Sequence, residues 1–371
     1  MSIDDKLFSF KQKSQDFIVT EELPFTFADK GDVFFVFFEK RNLNTMDVVN
    51  HICSSCNIPR LTLGIAGLKD KKAITRQRIC IYKRALKKLG GEKAFMASIG
   101  EVAKVLKTAW HTDPIGMTTP IKNSFYIKLR ANKHLSVKEK DISNRKILSL
   151  FKKWFPNLFW NQRFGISGIN PKQGSELLQW KSNIKDKKDI IFKIQSYGSK
   201  MLNEYIYTRT KKWLQILDGD IVLDTTSDKK NQWWIYQAKT NTVQLFDDTK
   251  KSKQFFRYPK NLTWEIPFNP DTMIITWPVV WYNLLLAPKG TIAGNKEQWL
   301  LEKNWITEKS LKLCENYKIF WIRRPIWVFP QKVSVHFQQD DIVLNFTLQG
   351  WSYASIMIDE LEKTLGVNVS Q

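Results

Sequence analysis

Residues 67–77 read Gly67-Leu68-Lys69-Asp70-Lys71-Lys72-Ala73-Ile74-Thr75-Arg76-Gln77. An apolar, strand-like run, LTLGIAG at 61–67, delivers one carboxylate, Asp70, into a loop dense with lysine. Flanking cations favour the ionised carboxylate and also attract phosphate. An anion held among cations at a strand end can act as a nucleophile or a base. A solvated Lys-Asp-Lys turn would look the same locally, so the meaning of the stretch depends on its surroundings.

Working outward, 33–38 is VFFVFF, a short apolar run that suits a strand buried on both faces. Further strands are predicted at 61–66, at 78–82 and at 125–130, where FYIKLR alternates. A helix is predicted over 143–154, with helical patterns at 174–180 and 190–217, and residues 218–251 turn strand-like and polar. Near the end, VSVHF and IVLNFTL flank the turn-like QQDD, and a helix over 353–365 stops at Gly366, a residue suited to a C-cap. No repeat of solenoid length occurs. The order is β-rich, then mainly helical and mixed, then β-rich again. That order predicts one domain interrupted by an insertion; two consecutive α+β domains are the alternative.

Composition narrows the partners. The 371 residues carry 58 Lys+Arg against 36 Asp+Glu, a net charge of +22, which draws in polyanions and makes nucleic acid the leading partner. The longest apolar stretch, 274–288, contains Pro278 and Asn283 and is too short to span a bilayer, so no membrane partner is expected. The first residues, MSIDDKLFSFKQKSQ, lack the pattern of a signal peptide, and a cytoplasmic location is the expectation. Cys53 and Cys56 stand in a CxxC spacing near His51, but Cys80 and Cys314 stand apart, so no second pair completes a zinc site. A helix capped by Asn44 or Thr45 would bury these cysteines as small hydrophobes.

The 67–77 stretch resembles the TruD family of pseudouridine synthases, whose signature runs roughly G-x-K-D-K/R-x-A-x-T-x-Q. Gly67, Lys69, Asp70, Lys71, Ala73, Thr75 and Gln77 match it. Asp16, Phe17, Val19 and Glu21 are similar to an early D-F-x-V-x-E, and Lys40, Asn44 and Thr45 to a following K…N-T. Asn123-Ser124-Phe125 resembles an N-x-F segment, and Gln162-Arg163-Phe164-Gly165 the Q-R-F-G that opens the family's own domain. Ser199, Asn203, Arg209 and Asp218-Gly219-Asp220 fit inside that domain, and Ser352-Tyr353-Ala354-Ser355 with Glu360-Leu361 resembles the final block.

The resemblance implies an α+β protein. A pseudouridine-synthase-type catalytic domain, 1–160 and 318–371, would hold a central, largely antiparallel sheet, and an inserted α/β domain would span 161–317. It implies isomerisation of uridine, at position 13 in most bacterial relatives, in tRNA as the partner. It implies no cofactor and no metal, and we expect a monomer. Asp70 would be the catalytic residue. Phe125 would stack on the extruded base, Asn123 would orient base or loop, and Lys11 would balance charge near Asp70. Glu21, Lys69, Lys71, Gln162, Arg163 and Phe164 complete the expected RNA-binding set. Extruding a base does require an aromatic face and polar groups that read its edge. An RNA-binding protein without catalysis, such as a tRNA chaperone, is the rival; a base-excising glycosylase is another.

The chain also departs from the family. Trp160, Trp277 and Trp351 fall where the resemblance places glycine, and the chain holds 15 Trp but only 16 Gly. Average usage, about 7%, would give roughly 26 Gly. We therefore expect UGA codons at these positions, read as glycine in the source. Trp281 is a fourth candidate. Trp180 is expected to be a true helical tryptophan. Before Asn123, His111-Thr112-Asp113-Pro114-Ile115-Gly116 replaces a basic family segment.

Overall fold

The computed structural model describes residues 7–69, 71, 73–116, 119, 121–159, 163–210, 215–225, 233–246, 255–259, 261–279, 283–319, 322–350, 352–365 and 367–369. The chain divides into two compact units. One joins Met1–Trp154 to Phe329–Gln371, and the other is Phe155–Val328.

The first unit is built on one sheet. From edge to edge its strands are Gln331–Gln338, Asp341–Gln349, Lys122–Ala131, Phe17–Glu22, Ile74–Tyr82, Val33–Arg41 and Lys104–His111. Along this path every pair is antiparallel except Phe17–Glu22 beside Ile74–Tyr82. The fold is α+β. The VFFVFF run is buried on both faces because each face has its own cover. Phe34, Val36 and Phe38 pack with Val48, Val49 and Ile52 of the Thr45–Ser55 helix and with Phe95 and Ile99 of the Glu92–Gly100 helix. Val33 and Phe35 pack with Ile115 and Ile121 on the other side.

Register carries one face across the strands. Lys40 lies opposite Thr75 and Phe38 opposite Gln77, Val19 pairs with both Thr75 and Phe125, and Glu21 lies opposite Asn123. Because side chains alternate with period two, Lys40, Thr75, Gln77, Glu21, Asn123 and Phe125 share a face.

Two predicted elements differ from the structure. Residues 61–66 form only a short strand, Leu63–Gly64, after a single 3-10 turn at Arg60–Thr62. The helix predicted from residue 143 begins at Val137, because Ser136 and Glu139 form a capping box. Glu139 N–H donates to Ser136 Oγ at 3.2 Å, and Ser136 N–H donates to the Glu139 carboxylate at 2.9 Å. Asn44 is the N-cap of the helix that carries Cys53. The four cysteines are free, and the described residues hold no cluster of metal-ligating side chains. No described helix is long and apolar enough to cross a membrane.

The second unit has a six-stranded antiparallel sheet, in the order Leu262–Pro267, Thr242–Phe246, Trp233–Gln237, Ile221–Asp224, Met273–Val279 and Ile322–Pro325. Its long helix is Lys187–Thr210. Several residues that resemble the family's inserted-domain motif hold this unit together. Arg209 grips Asp220 with two bonds of 2.8 and 3.0 Å, both side chains buried. Asn203 bonds the backbone of Phe159 at 2.7 and 2.9 Å. Gly219, at φ +83°, faces Thr291 so closely that a Cβ would lie 2.1 Å from its Oγ1.

Among the tryptophans, Trp180 departs from its expectation. Trp160, Trp281 and Trp351 lie outside the described residues. Trp277 is fully buried, its ring 3.8 Å from the Tyr205 ring, with no hydrogen-bond partner for its indole N–H among the described residues. Aromatic pairs ordinarily sit 4.5–7 Å apart, and a buried Trp usually finds a partner. Trp180 is not inside a helix. It is half exposed, one residue past the C-cap Gln179 of the Ile169–Leu178 helix, at φ +61°. Trp180 N–H donates to Leu177 O at 3.0 Å and Lys181 N–H to Glu176 O at 2.8 Å, which is the Schellman motif, where the left-handed residue is usually glycine. Trp305, at φ +56°, repeats this after the Ile292–Lys303 helix, with bonds to Glu302 O and from Ile306 N–H to Leu301 O.

The left-handed region costs a side-chain-bearing residue about 1–2 kcal/mol. Trp180→Gly and Trp305→Gly are each expected to raise the melting temperature of a recombinant product, by about 2–4 °C per kcal/mol recovered. A lower melting temperature in the double variant would contradict the packing argument. The gene is expected to show UGA at 180, 277 and 305; UGG at all three would remove the recoding idea.

Candidate active site

The backbone of Lys69 is held by two buried side chains, one of which is braced by a third. Its N–H donates to Thr45 Oγ1 at 2.8 Å, and that hydroxyl donates to Gln77 Oε1 at 3.0 Å. Its carbonyl accepts from Lys40 Nζ at 3.4 Å, while the same ammonium donates to Leu43 O at 2.6 Å. Lys40, Thr45 and Gln77 are each at most 1% exposed. Each comes from a different element: the Val33–Arg41 strand, the first turn of the Thr45–Ser55 helix, and the Ile74–Tyr82 strand.

The Lys69 side chain reaches the neighbouring strands. Its Nζ donates to Asn123 Oδ1 at 2.5 Å and lies 3.9 Å from Glu21 Oε2. Glu21 is 1% exposed; its Oε1 accepts from Arg78 N–H at 3.0 Å, and its carbonyl accepts from the Arg78 guanidinium at 2.7 Å. Burial pushes the Glu21 carboxyl above the usual carboxylate range, against the pull of Lys69 and Arg78. Glu21 Oε2, Thr75 Oγ1 and Gln77 Nε2 have no hydrogen-bond partner among the described residues. The result is a polar floor around the Lys69 peptide. Asp70 and Lys72 lie outside the described residues; Lys71 is exposed.

Beside this floor runs a row of rings. Phe10 meets Phe17 edge-on at 5.6 Å, Phe17 lies 6.2 Å from Phe125, and Phe125 stacks on Phe346 at 5.2 Å and 20°. Phe125 is 7% exposed, so most of its ring is covered by this chain's own aromatics. Lys11, at φ +57°, holds its ammonium 4.0 Å from the centre of the Phe17 ring, a cation–π contact that keeps a charge beside the row.

The structure thus brings together Glu21, Lys69 and Asn123, and sets Lys11 against the row containing Phe125. Arg163 and Phe164 belong to the second unit. Arg163 donates to Gln195 Oε1 at 3.1 Å and lies over the Phe192 ring at 5.2 Å; Phe164 lines a cavity of about 840 Å³ with Lys172, Tyr197 and Lys200. Gln162 lies outside the described residues.

The comparisons bear on what such a site does. A family model described as tRNA pseudouridine synthase D (TruD) matches residues 7–186. The chain is similar to tRNA pseudouridine synthase D of Wolinella succinogenes, 26% identical over 367 residues that cover 95% of this chain and 94% of that protein. It is similar to that of Sulfurimonas denitrificans, 25% identical with 96% and 95% covered. The family model and these relatives bear out the resemblance to the TruD family. Its fold is also similar to a crystal structure described as tRNA pseudouridine synthase D from Methanosarcina mazei, with a TM-score of 0.55, 15% identity, and 99% and 96% of the two chains covered.

Among TruD-like residues, Lys40, Thr45 and Gln77 were legible only as motif matches. Their part in the site shows in the contacts. The signal was nonetheless present for Lys40: it continues the buried period of Phe34, Val36 and Phe38 at a position where an apolar residue would be ordinary.

The raised Glu21 carboxyl has a consequence for stability. The folded chain holds this proton more tightly than the unfolded chain, whose glutamate titrates at about 4.3. Its favourable contribution is therefore complete below that value and is lost as pH rises through the folded value. The melting temperature of Glu21→Gln relative to the parent is expected to improve between pH 4.5 and pH 8. A difference that stays constant over this range would contradict the assignment.

Proposed function

We propose that this protein converts uridine to pseudouridine in tRNA, at position 13, with Asp70 as nucleophile or base. The N1–C1′ bond of the target nucleotide breaks, the uracil turns, and C5 bonds to C1′. The C5 proton then leaves and N1 gains one, so no atom is lost and no oxidant or reductant is consumed. The observation that carries the reading is the clamped Lys69 peptide. A TruD-like chain holds, on two buried side chains braced by a third, the residue immediately before its one motif carboxylate. Preorganisation of this kind is what positions a reacting group.

The other residues fit roles around Asp70. Lys69 and Asn123 form a hydrogen-bonded pair at the floor, suited to orienting the loop or reading the edge of a flipped base. Phe125, in the ring row, is suited to support the base by stacking, and Lys11 supplies positive charge beside it. The net charge of +22 supports an electrostatic hold on the RNA backbone. An RNA-binding protein without catalysis would share the charge but has no use for a carboxylate directly after so firmly held a peptide.

Asp70→Asn is expected to abolish pseudouridine formation while tRNA affinity stays within a few fold, because binding rests on many phosphate contacts. Turnover close to that of the parent would remove Asp70 from the chemistry. If about six phosphates are neutralised, log K for tRNA should fall against log salt with a slope of about −4 to −5. A flat response would remove the electrostatic account of binding.

A further inference from the structure

Lys40 is a fully buried ammonium that the reaction outlined above does not use. Taking such a charge out of water is costly unless it is well compensated. Its position in the Val33–Arg41 strand explains the burial. The side chain lies on the same face as Phe34, Val36 and Phe38, which carries the core beneath the Thr45–Ser55 helix. A leucine or methionine there would extend that core at no such cost. Instead the ammonium donates to two backbone carbonyls, Leu43 O at 2.6 Å and Lys69 O at 3.4 Å.

Those two carbonyls are not equivalent. Leu43 immediately precedes Asn44, the N-cap of the Thr45–Ser55 helix, so this bond fixes the start of the helix whose Thr45 hydroxyl receives the Lys69 N–H. The Lys69 carbonyl belongs to the peptide whose nitrogen is that of residue 70. One ammonium therefore acts on both ends of Lys69, directly at its carbonyl and through Thr45 at its N–H. It also places a positive charge under the root of the loop, in a region where water does not screen it.

We infer that Lys40 is a positioning residue for Asp70: it fixes the peptide that leads into Asp70 and brings a positive charge to the carbonyl of the residue before it. This rests on the reading of Asp70 as the reacting group. Lys40 itself stays in the core and touches no substrate. Other charged groups surround the loop: Lys69 with Glu21 on the neighbouring strand, Arg78 behind Glu21, exposed Lys71, and Asp47 in the first turn of the helix.

The test compares the parent with Lys40→Met, Lys40→Arg and Thr45→Val in the full chain. Carboxyl titration is followed by carbon NMR on aspartate-labelled protein, with the Asp70 signal assigned by its loss in Asp70→Asn. Removing the charge in Lys40→Met is expected to raise the Asp70 midpoint by about one pH unit, a tenfold change in the ionisation constant. Its kcat on tRNA is expected to fall at least about tenfold with KM little changed, and Lys40→Arg to recover part of it. Thr45→Val removes a bond to Lys69 but no charge, so kcat should fall without movement of the midpoint. An unmoved midpoint in a folded Lys40→Met, or a kcat loss matched by a loss of tRNA affinity, overturns the inference. If Lys40→Met does not fold, Lys40→Arg and Thr45→Val decide: parent-like kcat in both overturns it. A shifted midpoint in a protein whose parent makes no pseudouridine leaves Lys40 as assigned and defeats the proposed reaction instead.

Discussion

How the peptide at Lys69 is held determines what the candidate site can do. A loop rich in lysine would by itself be mobile and solvated. Here its root is tied to Lys40 and to Thr45, which Gln77 braces, three polar side chains buried at the junction of a strand, a helix N-terminus and a second strand. Each needs a partner because water cannot reach it. The Lys69 backbone provides that partner for Lys40 and Thr45, the Thr45 hydroxyl provides one for Gln77 Oε1, and in return the Lys69 peptide loses its freedom. Lys69 then spans to Asn123 and approaches Glu21, so two further strands are engaged by the same residue. The sheet register makes this possible by carrying one polar patch across an otherwise apolar face.

The second unit spends its buried charges differently. Arg209 with Asp220, and Arg323 with Glu297, are pairs in which both side chains are nearly inaccessible. Arg323 also bonds Thr276 and the Leu285 carbonyl, and Glu297 accepts from Ala287 N–H. These pairs are fully hydrogen-bonded, and loss of one partner would leave a buried charge uncompensated. Residues that resemble the family's inserted-domain motif thus serve this unit's own packing. Residues that resemble the loop motif instead gather around the Lys69 peptide.

Much of this was legible in the chain, for identifiable reasons. VFFVFF could only be a strand covered on both faces, FYIKLR announced alternation that antiparallel pairing uses directly, and VSVHF and IVLNFTL read as strands on either side of a turn. The early start of the Val137–Phe151 helix was written in Ser136 and Glu139, but its polar first turn carries no apolar period. LTLGIAG read as a full strand because it is apolar, yet pairing is confined to Leu63–Gly64; the rest of it is the approach to the loop. Trp180 read as helical because the pattern before it is helical, whereas the left-handed turn is a property of backbone bonds that no side-chain period reveals. The meeting of Glu21, Lys69 and Asn123 is of the same kind, since it depends on strands distant in sequence becoming neighbours.

The central claim is isomerisation of one uridine in tRNA. Carbodiimide labelling followed by primer extension on tRNA incubated with the protein tests it most directly, because pseudouridine keeps an alkali-resistant adduct that stops the polymerase. A single new stop at position 13, absent with Asp70→Asn and without any loss of the base, is the expected result. No new stop, or strand breakage at an abasic site, would contradict the account; the second outcome would mark excision of the base in place of its return to the sugar.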